Sequence, residues 1–202
     1  MNDVKQPLTH RKRQALATQR MIVDAARSLF LEQGYGATTI DAISAKAGVA
    51  VSTVYAVFKN KRGILKAIRE EWHQESGQRA IYTQAQAEPA AQKRMELAAH
   101  ATRRQWETGA TMITIYESAA DSDLEAADEL QEARTGRRRG MEHFITESLP
   151  LLKKGLTVEQ ASALFNALTL AEIYQELVGE FGWSGDEYEA WLAQTLKQQL
   201  LP

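Results

Sequence analysis

Nearly every segment after residue 17 of this 202-residue chain carries a helix signal, which leaves its most strand-like stretch without a partner. Starts of the S/T-x-x-E/Q/D type stand at Thr38 to Asp41, Ser122 to Glu125, Thr157 to Gln160 and Ser184 to Glu187. Stops stand at Gly34, Gly48, Gly109 and Pro150. The stretch VAVSTVYAVF, residues 49–58, alternates and is rich in β-branched residues, so taken alone it reads as a strand. A lone strand has nothing to satisfy its backbone, whereas a helix sets Val54 and Phe58, four apart, against Ile43 and Leu29. The expectation is an all-α chain of about nine helices.

The near-neutral net charge of −2 hides an asymmetry. Residues 1–69 hold twelve Lys and Arg against four Asp and Glu, while residues 70–202 hold twelve against twenty-two. A basic third joined to an acidic remainder points to a polyanion-binding module attached to something else. There is no cysteine, which excludes disulfides, thiolate metal sites and thiol catalysis. No apolar run has the length of a signal peptide or membrane span, and a cytoplasmic protein is expected.

Periodicity places helix one at about 18–33, with Ile22, Ala25, Ala26, Leu29 and Phe30 on one face. Helix two, about 39–46, offers Ile40 and Ile43, and Gly48 supplies a sharp turn that favours positive φ. A second helix begins about three residues later, which is helix-turn-helix spacing. The second helix then presents Val51, Ser52, Thr53, Tyr55 and Ala56 outwards. Val51, Ser52, Thr53 and Ala56 are short, so thymine methyl contacts and hydroxyl hydrogen bonds are the expected base readout. Thr38 or Thr39 at the start of helix two, and Lys61 at the start of helix four, are expected phosphate anchors at helix N-termini.

The segment TTIDAISAKAGVAVSTVYAVFKNKRGILKAI resembles the DNA-binding domain of TetR-like transcriptional regulators. Thr39, Ile43, Ala47, Gly48, Val49, Thr53, Tyr55, Phe58 and Lys61 carry the likeness over roughly residues 20–68. The resemblance implies backbone contacts from Tyr55, Lys59 and Lys61, a palindromic double-stranded DNA operator, a homodimer and release by a small-molecule effector. Ala50 departs from the serine often found there, removing a side-chain cap from the recognition helix. The implied organisation is a flexible basic arm at 1–17, a helix-turn-helix domain at 18–66 and an effector and dimerisation bundle at 67–202. Within the bundle the effector lining is expected from Trp72, Trp106, Met112, Ile115, Tyr116, Phe144 and Asn166.

From 158 to 181 apolar residues surround the helix more fully than one core face requires, and a second stripe follows. Phe165, Leu168, Glu172, Tyr188, Trp191, Leu192, Thr195 and Leu196 are the expected dimer interface, built as a four-helix arrangement. The basic island RTGRRRG, residues 134–140, reads as a solvated helix face or, more sharply, as an anionic ligand site. No cofactor or metal is expected, and no enzymatic activity. The competing readings are a helical-bundle enzyme and a ligand-binding or scaffold dimer whose DNA head is not functional; the paired Glu-x-x-His motifs of di-metal bundles are missing from the sequence.

Overall fold

The computed structural model describes residues 9–202. Among these residues there is no strand, and nine α-helices have eight residues or more. In chain order the helices are α1 (His10–Gln33), α2 (Ile40–Ala47), α3 (Val51–Phe58), α4 (Lys61–Ser76), α5 (Gln78–Ala87), α6 (Ala91–Ala120), α7 (Leu124–Ser148), α8 (Val158–Leu168), the short α9 (Ala171–Tyr174) and α10 (Gly185–Leu200). A 3-10 turn, Leu149–Leu151, follows α7, and α9 runs on as a π-helix over Gln175–Glu180. No single helix among the described residues is long and apolar enough to cross a membrane.

The first helix opens eight residues before its periodicity begins. Thr9 Oγ1 accepts from Lys12 N at 3.4 Å, and the good helix formers of RKRQALATQR carry the helix through solvent before a core face starts at Ile22. Apolar spacing cannot register such a turn, because it faces nothing. The expected flexible arm is therefore helical and exposed from His10 to Ala17, and residues 1–8 lie outside the described residues.

The valine-rich stretch coils. Val54 and Phe58 are buried with Ile22, Val23, Phe30 and Ile43, and the apolar face of α4, Ile64, Leu65 and Ile68, closes this core from below. Gly48 takes φ 66° and ψ 32°, the left-handed conformation, and α2 and α3 meet at 107°. Because α4 is continuous from Lys61 to Ser76, the expected domain boundary near 66 falls inside one rigid helix.

Two of the four sequence capping signals are full capping boxes, Thr157 with Gln160 on α8 and Ser184 with Glu187 on α10. The other two are displaced by one residue: Thr39 caps α2 and Asp123 caps α7. Gly109, read as a stop, sits inside α6. A Cβ there would lie 1.8 Å from Trp72 Nε1, so its missing side chain lets α4 cross α6 closely. The 30-residue α6 is the axis of the bundle, with α4, α5, α7 and α10 packed around it. Arg94, on α6, is buried and donates to Gln86 O, Glu88 O, Glu147 O and Ser148 Oγ, joining the ends of α5 and α7.

Candidate nucleic-acid interface and effector cavity

The turn and the α3 helix leave one face of the head uncovered. Ser52, Tyr55, Ala56 and Lys59 are exposed, Tyr55 by 51%, and Val51 and Thr53 are half-buried at the edge of the same face. Thr39 is exposed at the N-terminus of α2, where its Oγ1 accepts from Ala42 N at 3.1 Å. Ala50 makes no side-chain cap, so the first N–H groups of α3 stay open to an anion. Lys59 holds φ 65° as it ends α3, the one non-glycine residue with positive φ among the described residues.

Two expected phosphate anchors are placed differently. Thr38 is 1% exposed, donates to Gly34 O at 2.8 Å and Leu29 O at 3.3 Å, and accepts from Gln33 Nε2. It closes the turn after α1 and faces no groove. The Lys61 ammonium donates to Tyr35 O at 2.6 Å and Thr38 O at 3.0 Å, and lies 4.1 Å from the centre of the Tyr35 ring. Desolvation lowers its pKa from the ordinary lysine value, with Asp123 opposing. The side chain is committed to the loop carbonyls, leaving the helix N-terminus beneath it as the part of Lys61 that faces an anion. Tyr35 also reaches the bundle, through Ser118 Oγ to its N–H at 3.1 Å, while Arg62 pairs with Asp123 and Glu125 and Lys66 with Glu129.

Below the head, α4, α5, α6 and α7 enclose a cavity of about 660 Å³. Trp72, Trp106, Met112, Tyr116 and Phe144 line it, as expected from the sequence, and Tyr82 joins them. Ile115 does not: it is 1% exposed and absent from the lining, since one step along α6 from Tyr116 turns it into the core. Asn166 borders a second, more open cavity of about 970 Å³ between α7 and α8. The walls of the first cavity hold α4. Trp72 Nε1 donates to Gln105 O at 2.9 Å, its ring lies 6.4 Å from that of Trp106 at 16°, and Tyr116 OH donates to Leu65 O at 3.4 Å. Burial pushes the Tyr116 pKa up to about 12, keeping the hydroxyl a neutral donor.

The expected dimer residues divide. Phe165, Tyr188, Leu192 and Leu196 are fully buried within one chain, where α10 packs on α6 and α8, so a thick intrachain core claims them. Glu172 is exposed, and Leu168, Trp191 and Thr195 are half-buried. Leu164 and Leu170 expose 36% and 40% beside them. Arg137, in the basic island at 134–140 that reads as a solvated face or, more sharply, as an anionic ligand site, lines both cavities. Its spacing from Leu130, Met141 and Phe144, at seven, four and seven residues, places it on the inner face of α7 and was the available signal.

These features define an all-helical protein with a helix-turn-helix head on a hollow bundle. Residues 22–68 match the profile of the bacterial regulatory proteins of the tetR family. The uncharacterized HTH-type transcriptional regulator YvkB of Bacillus subtilis (strain 168) is 43% identical over 51 residues, 25% of this chain and 27% of that one, so the chain spans about a quarter of the length of this curated relative. The SmeT–triclosan complex, SmeT being the repressor of the Stenotrophomonas maltophilia multidrug efflux pump SmeDEF, superposes with a TM-score of 0.71 at 22% identity, covering 92% of both chains. NalD, the secondary repressor of the MexAB-OprM multidrug efflux pump in Pseudomonas aeruginosa, gives 0.71 at 21% identity over 94% of this chain and 98% of its own. At these identities the likeness is one of fold. Residues 22–68 thus match the N-terminal domain of the tetR family, and over nearly its whole length the chain shares the fold of these two structures.

Proposed function

We propose that the protein is a homodimeric transcriptional repressor that binds a palindromic operator through α2 and α3 and is released by a small molecule entering the cavity beneath α4. The observation that carries this reading is the 107° crossing of α2 and α3, which leaves Ser52, Tyr55, Ala56 and Lys59 free on a convex face above a cavity whose walls hold α4. In this reading Val51, Ser52, Thr53 and Ala56 touch base edges in the major groove, and Tyr55, Lys59 and the N-termini of α2 and α4 meet phosphates. The head is residues 18–66 and the effector and dimerisation bundle residues 67–202, with α4 shared between them. Two chains pair through the faces of α8 and α10 that their own cores leave uncovered, Leu164 and Leu168 on one and Trp191 and Thr195 on the other. Pairing sets the two α3 helices about 34–36 Å apart, or a multiple of it.

Release follows from geometry. A ligand seated among Trp72, Trp106 and Tyr116 prefers one tilt of α4 over another, and the difference in its affinity for the two tilts is the coupling energy. The test is an electrophoretic mobility shift with the DNA upstream of the protein's own coding region. Retardation that weakens with a steep log K against log salt slope is expected; an unretarded fragment at low salt, or a slope near zero, rejects the reading.

A further inference from the structure

The acidic bundle keeps a basic interior. Four guanidinium groups line the cavity beneath α4, those of Arg69, Arg79, Arg134 and Arg137, against two carboxylates, Glu70 and Glu132. Arg134 is paired with Glu117 at 2.8 Å, whereas among the described residues Arg69, Arg79 and Arg137 make no ion pair. Arg137 is the most enclosed. Its Nη1 donates to Asn166 Oδ1 at 3.2 Å, its Nη2 to Thr169 O at 2.6 Å and Thr169 Oγ1 at 2.7 Å, and its guanidinium lies 5.7 Å from the centre of the Trp106 ring. All of these partners are neutral, and its Nε is buried with no acceptor. The guanidinium is half-buried and stays charged, and the carboxylate of Glu172, which shares the lining of the second cavity, lies beyond ion-pair distance. Two residues of the same linings also hold a buried polar atom without a partner, His73 its Nδ1 at the first cavity and Ser162 its Oγ at the second. Trp72, Trp106, Met112 and Phe144 give the lining an apolar, largely aromatic part, and Gln78, Thr83, Gln86 and Gln105 a neutral polar one.

We infer that the effector is an organic anion with a planar apolar body, its acidic group held by Arg137 and its rings between Trp72, Trp106 and Phe144. This inference rests on the effector reading above and narrows it to a chemical class. The anion supplies the close negative charge that Arg137 lacks, and the flat body fills a volume suited to one drug-sized ligand. Neutral and cationic molecules of the same shape leave the guanidinium unpaired, and cations meet Arg69 and Arg79 at close quarters.

The experiment compares two fluorophores that differ by one sulfonate, 8-anilinonaphthalene-1-sulfonate and N-phenyl-1-naphthylamine, in titrations of the full chain. The sulfonate is expected to bind at least tenfold tighter. In Arg137→Gln this preference is lost while the neutral dye binds as before, and in Arg137→Lys a preference remains because the charge does. Equal binding of the two dyes by the wild type, or a preference that survives Arg137→Gln, overturns the anion assignment and leaves the cavity reading intact. Failure of both dyes to bind overturns the anion assignment and the cavity reading together. Should Arg137→Gln unfold, the wild-type ratio still decides, backed by Arg69→Gln with Arg79→Gln, in which the sulfonate loses part of its advantage and the neutral dye none.

Discussion

The head and the bundle put their positive charge in opposite places. In the head Lys46, Lys59 and Arg11 to Arg13 lie on the surface, where a polyanion can approach without any group leaving water. In the bundle, whose sequence is acidic, a guanidinium is turned inward beside Trp106. The difference follows from what each half is proposed to meet. A duplex is long and stays hydrated, so the charges that attract it stand outside and are screened by salt. A small anion is enclosed, so one charge in a poorly solvated wall does the work of several exposed ones.

The contrast can be broken or sharpened by substitution. The largest effect is expected where the bundle has used its apolar residues internally: Phe165→Ala removes a fully buried ring and costs about 3–5 kcal/mol, read as a lower thermal midpoint. Were Phe165 an interface residue, the loss would instead vary with protein concentration. Lys61 is the cation in the head that turns inward. Lys61→Met is expected to cost about 1.5–3 kcal/mol of stability and to weaken all duplexes alike; a loss of DNA binding at an unchanged midpoint would return its ammonium to the phosphates. Gly109→Ala forces a methyl group onto Trp72, an overpacking cost of about 1–3 kcal/mol by the same melt. A gain is expected from Ala50→Ser, which restores a cap at an extended N-cap position, about 1 kcal/mol in the stabilising direction. Least of all, acidification should lower the midpoint through His73. Desolvation, then Arg79 and Arg69, depress its pKa below 6.5, so the unfolded chain takes up a proton that the folded one refuses as pH falls past that value. In His73→Gln the acid sensitivity should shrink; an unchanged pH profile would place it elsewhere.

The head was largely legible in the sequence because its signals are local. A glycine turn, a cap and two apolar residues four apart are enough to fix α2 and α3. One misplacement there is a one-residue slip, since adjacent threonines offered the same hydroxyl and only packing against Gly34 and Leu29 decided that Thr38 goes inward and Thr39 caps; the other, the Lys61 ammonium, was decided by the loop carbonyls of Tyr35 and Thr38. The bundle was less legible because its roles are decided by crossing helices. The resemblance suggested an aromatic lining, but periodicity could not tell Ile115 from Tyr116, nor say that α10 would lay Tyr188, Leu192 and Leu196 against α6 and α8 and leave Trp191 at the edge. Gly109 looked like a terminator because a glycine's close approach to another helix has no sequence signature of its own. Arg137 lay in a run with two readings, a solvated face and an anionic ligand site, and its register with Met141 and Phe144 was the signal that it turns inward.

The hold of Lys61 on Tyr35 and Thr38 removes any joint between α2 and the start of α4. In the proposed release the head would tilt about α4 near Trp72, eleven residues and about 17 Å from Lys61. Each degree of tilt there would carry the start of α4 by roughly 0.3 Å, the arc of a lever of that length at helical rise. In the proposed two-fold pair the displacements would oppose, so a few degrees would put the two α3 helices out of step with successive grooves of a duplex.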